Sequence, residues 1–263
     1  METRAGTIID AATLVVSVLG FGGAIVTLWH GLKQYGRAEQ WKRGEFVAAE
    51  VKEFEATPAV RNVMLMIDWS ERRINLRGDP DLPPANWPLV TRDYAWKALL
   101  PHWVKARHRE WRAADASQVE EASEEQRALF SVNEALIRDA YDVFFDRLER
   151  FAHYAESGLV APEEFQPYLC YWIDDLATDQ GDEHDARWRA TVLTYVHAYR
   201  YPGVARLFRD FGHDIGPDGK LFAALGQRMK LDTLRDELTE AARSALIAAQ
   251  ERAESVRARR PAP

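Results

Sequence analysis

The sequence predicts a mainly α protein: a single transmembrane helix followed by a bundle-like helical region, with one small β-hairpin at about residues 72–91. Three observations carry this reading. An uncharged run of nineteen residues, "AATLVVSVLGFGGAIVTLW", lies between Asp10 and His30. Apolar residues through most of the remaining chain recur with a helical period rather than alternating. The composition, 47% hydrophobic and 29% charged, suits a packed core and argues against wholesale disorder.

The apolar run comes first. At about 1.5 Å per residue it spans roughly 28 Å, close to the hydrocarbon thickness of a bilayer. Trp29 ends it, where an amphipathic ring favours the headgroup region. A cleaved signal needs a basic leader and a shorter apolar core. Here Arg4 stands against Glu2, the run is long, and Trp-His-Gly-Leu-Lys follows. A buried core helix would not be apolar on every face at the chain's end. Lys33, Arg37, Lys42 and Arg43 flank the run on one side and Arg4 alone on the other. The positive-inside rule therefore places residues 1–10 outside and the bulk of the chain at the cytoplasmic face of a bacterial inner membrane. Gly20, Gly23 and Ala24 form a small-residue patch through which two such helices could approach. Trp29, Lys33, Arg37, Trp41, Lys42 and Arg43 are the expected membrane-interface residues, where each cation near an anionic surface contributes about 1 kcal/mol.

The elements behind the span follow in order. Residues 30–56 read as a juxtamembrane helix with Phe46, Val47, Val51 and Phe54 at helical spacing. Thr57 and Pro58 start the helical region 57–213, a cap followed by a first-turn proline. "RRINL" and "PLVT" around "RGDPDLPPANW" predict the hairpin. Thr91 caps "RDYAWKALL", and residues 102–126 form a charged surface excursion. A long helix from Asn133 buries Ala140, Val143, Phe144, Leu148 and Phe151, and Gly158 stops it. Pro162 opens the helix carrying "FQPYLCYWIDDL", "ATDQGDEHD" is a polar loop, and "ARWRATVLTYVHAYR" is the next helix, broken at Pro202 and Gly203. "VARLFRDFG" is a further short helical piece. Residues 214–263 form a turn, a C-terminal helix and a loose tail. Leu231, Leu234, Leu238, Ala241 and Ala245 make a short apolar stripe, a second expected association surface.

Residues 40–210 resemble uncharacterised bacterial proteins that pair an N-terminal membrane helix with a helical cytoplasmic region of unknown function. The resemblance rests on "QWKRGEFVAAEVKEFEATPAVRNVMLMIDWSERRINL" and "IRDAYDVFFDRLERFAHYAESGLVAPEEFQPYLCYWIDDL". It implies the same architecture and brings no catalytic residues.

Composition also bounds the function. A net charge of −7 argues against a dedicated nucleic-acid binder. The single cysteine, Cys170, forms no disulfide within the chain, which suits a reducing compartment, and its apolar neighbours predict a buried, inert thiol. Most of the nine tryptophans are expected in the core. The densest group of chemical side chains is Asp174, Asp175, Asp179, Asp182, Glu183, His184 and Asp185. Converging carboxylates and an imidazole could hold a hard divalent cation, but the same residues suit a solvated loop and the dipole of a helix start. Nucleotide-binding, zinc-protease and α/β-hydrolase motifs are missing. No metal and no cofactor is expected.

The leading functional expectation is a membrane-anchored scaffold, adaptor or sensor. It would act by association with itself or with another membrane or cytoplasmic protein, the lipid bilayer being its other partner. One alternative is a membrane-tethered, metal-dependent hydrolase or transferase built on residues 174–185. The other is an oligomeric, membrane-active effector of a defence or toxin type.

Overall fold

The computed structural model describes residues 2–106 and 129–229, with 236, 238–241, 243–244, 247–248 and 251; side chains are described from residue 28 onward. The charged excursion falls largely in 107–128, outside the described residues. So do Leu231, Leu234 and Ala245. The chain divides into two compact units, Met1–Ala49 and Glu50–Pro263.

The first unit is helix α1, which runs from Glu2 to Ala56 and so continues into the second. It has no break at residue 30, where the span and the juxtamembrane helix were expected to meet. Near its end Val51 and Phe54 are buried while Lys52, Glu53 and Glu55 are exposed. Leu28, Trp29, Leu32, Tyr35 and Trp41 are all exposed. Gly20, Gly23, Ala24 and the rest of the span up to residue 27 lie outside the described side chains. Among the described residues no helix is long and apolar enough to cross a membrane.

The second unit is helical with one two-stranded sheet. Helix α2 (Pro58–Asp68) has proline in its first turn and presents Val60, Val63, Met64 and Ile67 to the interior. Strands β1 (Glu71–Arg73) and β2 (Leu89–Thr91) pair antiparallel, with Glu71 opposite Thr91 and Arg73 opposite Leu89. The expected hairpin is thus present, but shorter than "RRINL" allows. Ile74 leaves the ladder and is buried, its N–H donating to Pro88 at 3.1 Å. Helix α3 (Arg92–Leu99) starts on Thr91, whose hydroxyl accepts from the Tyr94 N–H. Residues 102–106 are helical.

Helix α4 (Val132–Glu156) begins one residue before the expected start, because Ser131 and Glu134 form a reciprocal capping box. It ends where Gly158 takes φ +72°, a conformation that a side chain would strain. Helix α5 (Pro162–Leu176), α6 (Glu183–Ala198), α7 (Pro202–Asp210) and α8 (Lys220–Arg228) complete the unit. Helix α4 packs against α2, α3 and α7, while α6 packs against α3, α7 and α8. The core centres on Phe54, Phe144, Phe151 and Phe165, with ring centroids 4.8–5.7 Å apart in successive pairs. Helix α6 is buried on every side from Ala186 to Val196, which is why it lacks an amphipathic pattern.

Two expectations about single residues need correction. Trp188 alone among the described tryptophans is fully enclosed, while Trp29, Trp41, Trp69 and Trp103 are exposed. Helical spacing puts a residue on a face, and these faces are not covered. Cys170 is half-buried rather than buried, because it borders the outer side of α5 beside exposed Tyr171.

Candidate functional site

Among the described residues four arginines are buried: Arg92, Arg138, Arg187 and Arg189. A buried guanidinium needs acceptors for its fixed fork of donors. Three of them find these at the carbonyl ends of helices from elsewhere in the chain. Arg92, at the start of α3, donates to the carbonyls of Met66 and Ile67 at the end of α2. Arg138 of α4 donates to Ala98 and Leu100 at the end of α3, at 2.8 and 3.0 Å. Arg189 of α6 donates from Nε to the carbonyl of Asp175 at the end of α5, at 2.7 Å, and from Nη1 to that of Gln180. Neither α2 nor α5 has a basic residue in its own last turn. The arginines therefore supply both the missing donors and the cation that the C-terminal dipole favours. Aromatic faces sandwich them: Arg92 lies 3.7 Å from the Trp188 ring centroid and Arg187 5.4 Å from that of Trp96.

This framework brings the starts of α3 and α6 together around an open depression of about 290 Å³. Ser70, Glu71, Thr91, Arg92, Asp93, Asp182, His184 and Asp185 line it. Asp182 caps α6 by accepting from the Asp185 N–H at 3.0 Å. The Asp185 carboxylate accepts from Arg92 Nε at 2.9 Å. A Cβ on Gly181 would stand 2.5 Å from Asp185 Oδ2, and φ there is +100°, so this tight entry requires glycine. His184 Nδ1 pairs with Asp93 Oδ1 at 2.8 Å. Asp93 is held from behind by Trp96 Nε1 at 3.2 Å and by Arg187 Nη1 at 3.6 Å, while Arg187 Nη2 donates to Glu183 at 2.6 Å.

The charges follow from these contacts. The hydrogen bond from His184 holds the Asp93 carboxyl below its ordinary 3.8. The Asp185 N–H does the same for Asp182. Asp93 in turn raises His184 above 6.5, through its hydrogen bond and then its charge. A carboxylate on Nδ1 leaves Nε2 as the ring atom able to exchange a proton with a molecule in the depression.

The acidic segment singled out in the sequence is thus divided rather than convergent. Asp182, His184 and Asp185 meet at the depression. Glu183 is spent on Arg187. Asp175 serves Arg189 at 3.3 Å. Asp174 pairs with His213 Nε2 at 2.7 Å beside a second open depression, of about 500 Å³, which Asp179 and Lys220 also line. Among the described residues no group of three His, Cys, Asp or Glu side chains could hold a metal ion. The physical reason is competition: arginines, His213, Gln180 and a backbone N–H take the carboxylates one at a time. Sequence reading missed Arg92, Asp93 and Ser70, which reach the depression through a fold contact about 90 residues away in the chain. Asp182, His184 and Asp185, singled out in the sequence, and Thr91, legible as a cap, line it as well.

The association residues divide in the same way. Leu238 is 1% exposed, and its carbonyl lies 3.5 Å from the Thr194 hydroxyl, so it packs on its own chain. Lys33, Arg37, Trp41 and Lys42 stand exposed, and Arg43 is partly covered, 3.9 Å from Glu39. Compared with known proteins, the chain matches no family model, no characterised protein and no solved structure.

Proposed function

We propose that the protein is a membrane-anchored helical scaffold, adaptor or sensor, held by residues 11–29 and acting through protein–protein association at the cytoplasmic face of a bacterial inner membrane. One observation carries this reading. The nineteen residues carry no charge on any face and sit inside a helix that continues without a break to Ala56. A helix lying flat in an interface separates its apolar and charged sides. A helix that crosses a bilayer satisfies its backbone internally and can be apolar all round. The resemblance of residues 40–210 to proteins with an N-terminal membrane helix supports the same placement. Anchoring raises effective concentration, so contacts too weak to matter in solution become significant. Gly20, Gly23 and Ala24 would serve self-association within the bilayer.

The test is topological. Membranes carrying the intact chain should retain it through alkaline carbonate, and deletion of residues 1–30 should release it. A reporter fused after Pro263 should read cytoplasmic; a periplasmic signal would overturn the orientation. The metal-dependent alternative has less support, because the carboxylates of 174–185 are divided between two depressions and among Arg187, Arg189 and His213.

A further inference from the structure

Residues 28–42 of α1 are exposed apart from half-buried Gly36. Leu28, Trp29, Leu32, Tyr35 and Trp41 each leave 59–72% of their surface open. Between them stand Lys33 and Arg37, with Lys42 and Arg43 following and Glu39 the one acid. Residues 28–43 therefore carry +3 in a chain whose net charge is −7. Such a stretch complements an anionic surface.

Helix geometry says how. At about 100° per residue, Lys33, Arg37 and Lys42 stand roughly 140°, 180° and 320° around the axis from Leu28, so the cations encircle the helix. The separation runs along the axis instead. At about 1.5 Å per residue, Lys33 lies ~6 Å beyond Trp29 and Arg37 ~12 Å, whereas Trp41 to Arg43 lie ~18–21 Å beyond. A headgroup layer is only about 5–8 Å deep on each side of the hydrocarbon. With the Trp29 ring at the hydrocarbon edge, Lys33 falls within that layer, and Arg37 reaches it on its long side chain. Trp41, Lys42 and Arg43 cannot share the layer with Trp29. The Lys33 ammonium already lies over the Trp29 ring, 5.2 Å from its centroid, so the edge-seeking indole carries its cation with it.

We propose that Trp29, Lys33 and Arg37 form a collar that binds the phosphates of anionic phospholipids, while Trp41 to Arg43 stand clear of the bilayer. The proposal rests on the tether reading above and refines it by dividing the expected interface residues into two groups.

The experiment reconstitutes the full chain into bilayers containing spin-labelled phosphatidylglycerol or spin-labelled phosphatidylcholine, and measures the fraction of each lipid immobilised by the protein. The wild type should prefer phosphatidylglycerol by up to about twenty-five-fold, and about half a molar of salt should weaken that preference. K33Q/R37Q should lose the preference, at about fivefold per cation, whereas K42Q/R43Q should keep it. Equal immobilisation of both lipids by the wild type overturns the collar. Equal losses in the two double variants overturn the division by height. Extraction of the wild type by alkaline carbonate would overturn the tether and the collar together; retention without lipid preference would overturn the collar alone.

Discussion

The two ends of α6 are built from the same kinds of side chain and behave differently. At its start, His184 and Asp93 pair with their side chains 54% and 44% exposed. Water screens them, and the pair holds little of the fold. At its end, enclosed Tyr195 donates to Asp142 Oδ1 at 2.6 Å, and Tyr201 donates to the same oxygen at 3.0 Å. Arg138 donates to the Tyr199 hydroxyl at 2.7 Å and lies 4.3–5.0 Å from the ring centroids of Phe130, Tyr195 and Tyr199. Burial, with Asp142 beside them, drives the Tyr195 and Tyr201 hydroxyls far above their ordinary 10. Depth therefore assigns the roles. Polar groups at the enclosed end fix the packing, and those at the open end remain available to a ligand or a proton.

The largest expected effect lies at the enclosed end. Arg138→Met keeps the volume but leaves the Ala98 and Leu100 carbonyls without their donor. Each stranded buried acceptor costs about 1–3 kcal/mol, so urea unfolding should show a loss of about 4 kcal/mol with an unchanged slope. Asp142→Asn comes next. It keeps an acceptor for Tyr195 and Tyr201 but removes its charge, which should lower stability by about 1–2 kcal/mol in the same titration. A loss at Arg138 no larger than at a surface position would mean that the arginine does not hold the end of α3.

The difference between the two ends also explains what the sequence disclosed. Helix α4, the hairpin, the Thr91 cap and the Gly158 stop were readable, because period, β-propensity and capping are local. Helix α6 was readable as a helix but not as the central one; "ARWRATV" looks charged until Arg189 is seen to close the end of α5 and Arg187 to pair with Glu183 and Asp93. No local pattern says that Arg138 will meet the Ala98 carbonyl forty residues away. The acidic segment misled for the same reason: seven titratable groups in twelve residues suggest one site, yet long-range arginines divide them. The Asp93–His184 pair spans ninety-one residues and left no mark on either stretch of sequence.

At the open end the effects shrink. Asp182→Ala removes the oxygen that accepts the Asp185 N–H and should lower stability by about 1 kcal/mol, within the usual range for an N-cap. Hydrogen exchange should accelerate in the first turn of α6 and stay unchanged near Tyr195. Uniform acceleration along α6 would show that its two ends are not energetically separate.

The smallest effect on stability gives the sharpest contrast in charge. His184 near the start of α6 and His197 in its last turn should titrate on opposite sides of 6.5, the first raised by Asp93 and the second lowered by burial. His197 is half-buried, with Nε2 on the Ile215 carbonyl at 2.7 Å. The linkage signs then oppose. The His184 contribution is fully present below 6.5 and is lost as pH rises through its folded value; exposure limits it to at most about 1 kcal/mol. The neutral His197 contribution is present above 6.5 and is lost as pH falls through its folded value. Resonances of the two imidazoles followed by NMR should separate accordingly. In Asp93→Asn, His184 should return towards 6.5 while His197 does not move. The same substitution should also remove the stability that the Asp93 carboxylate supplies above 3.8, which the wild type loses in acid. If His184 titrates at or below 6.5 in the wild type, the pair is not formed in solution, and the depression loses the one group poised to exchange a proton there.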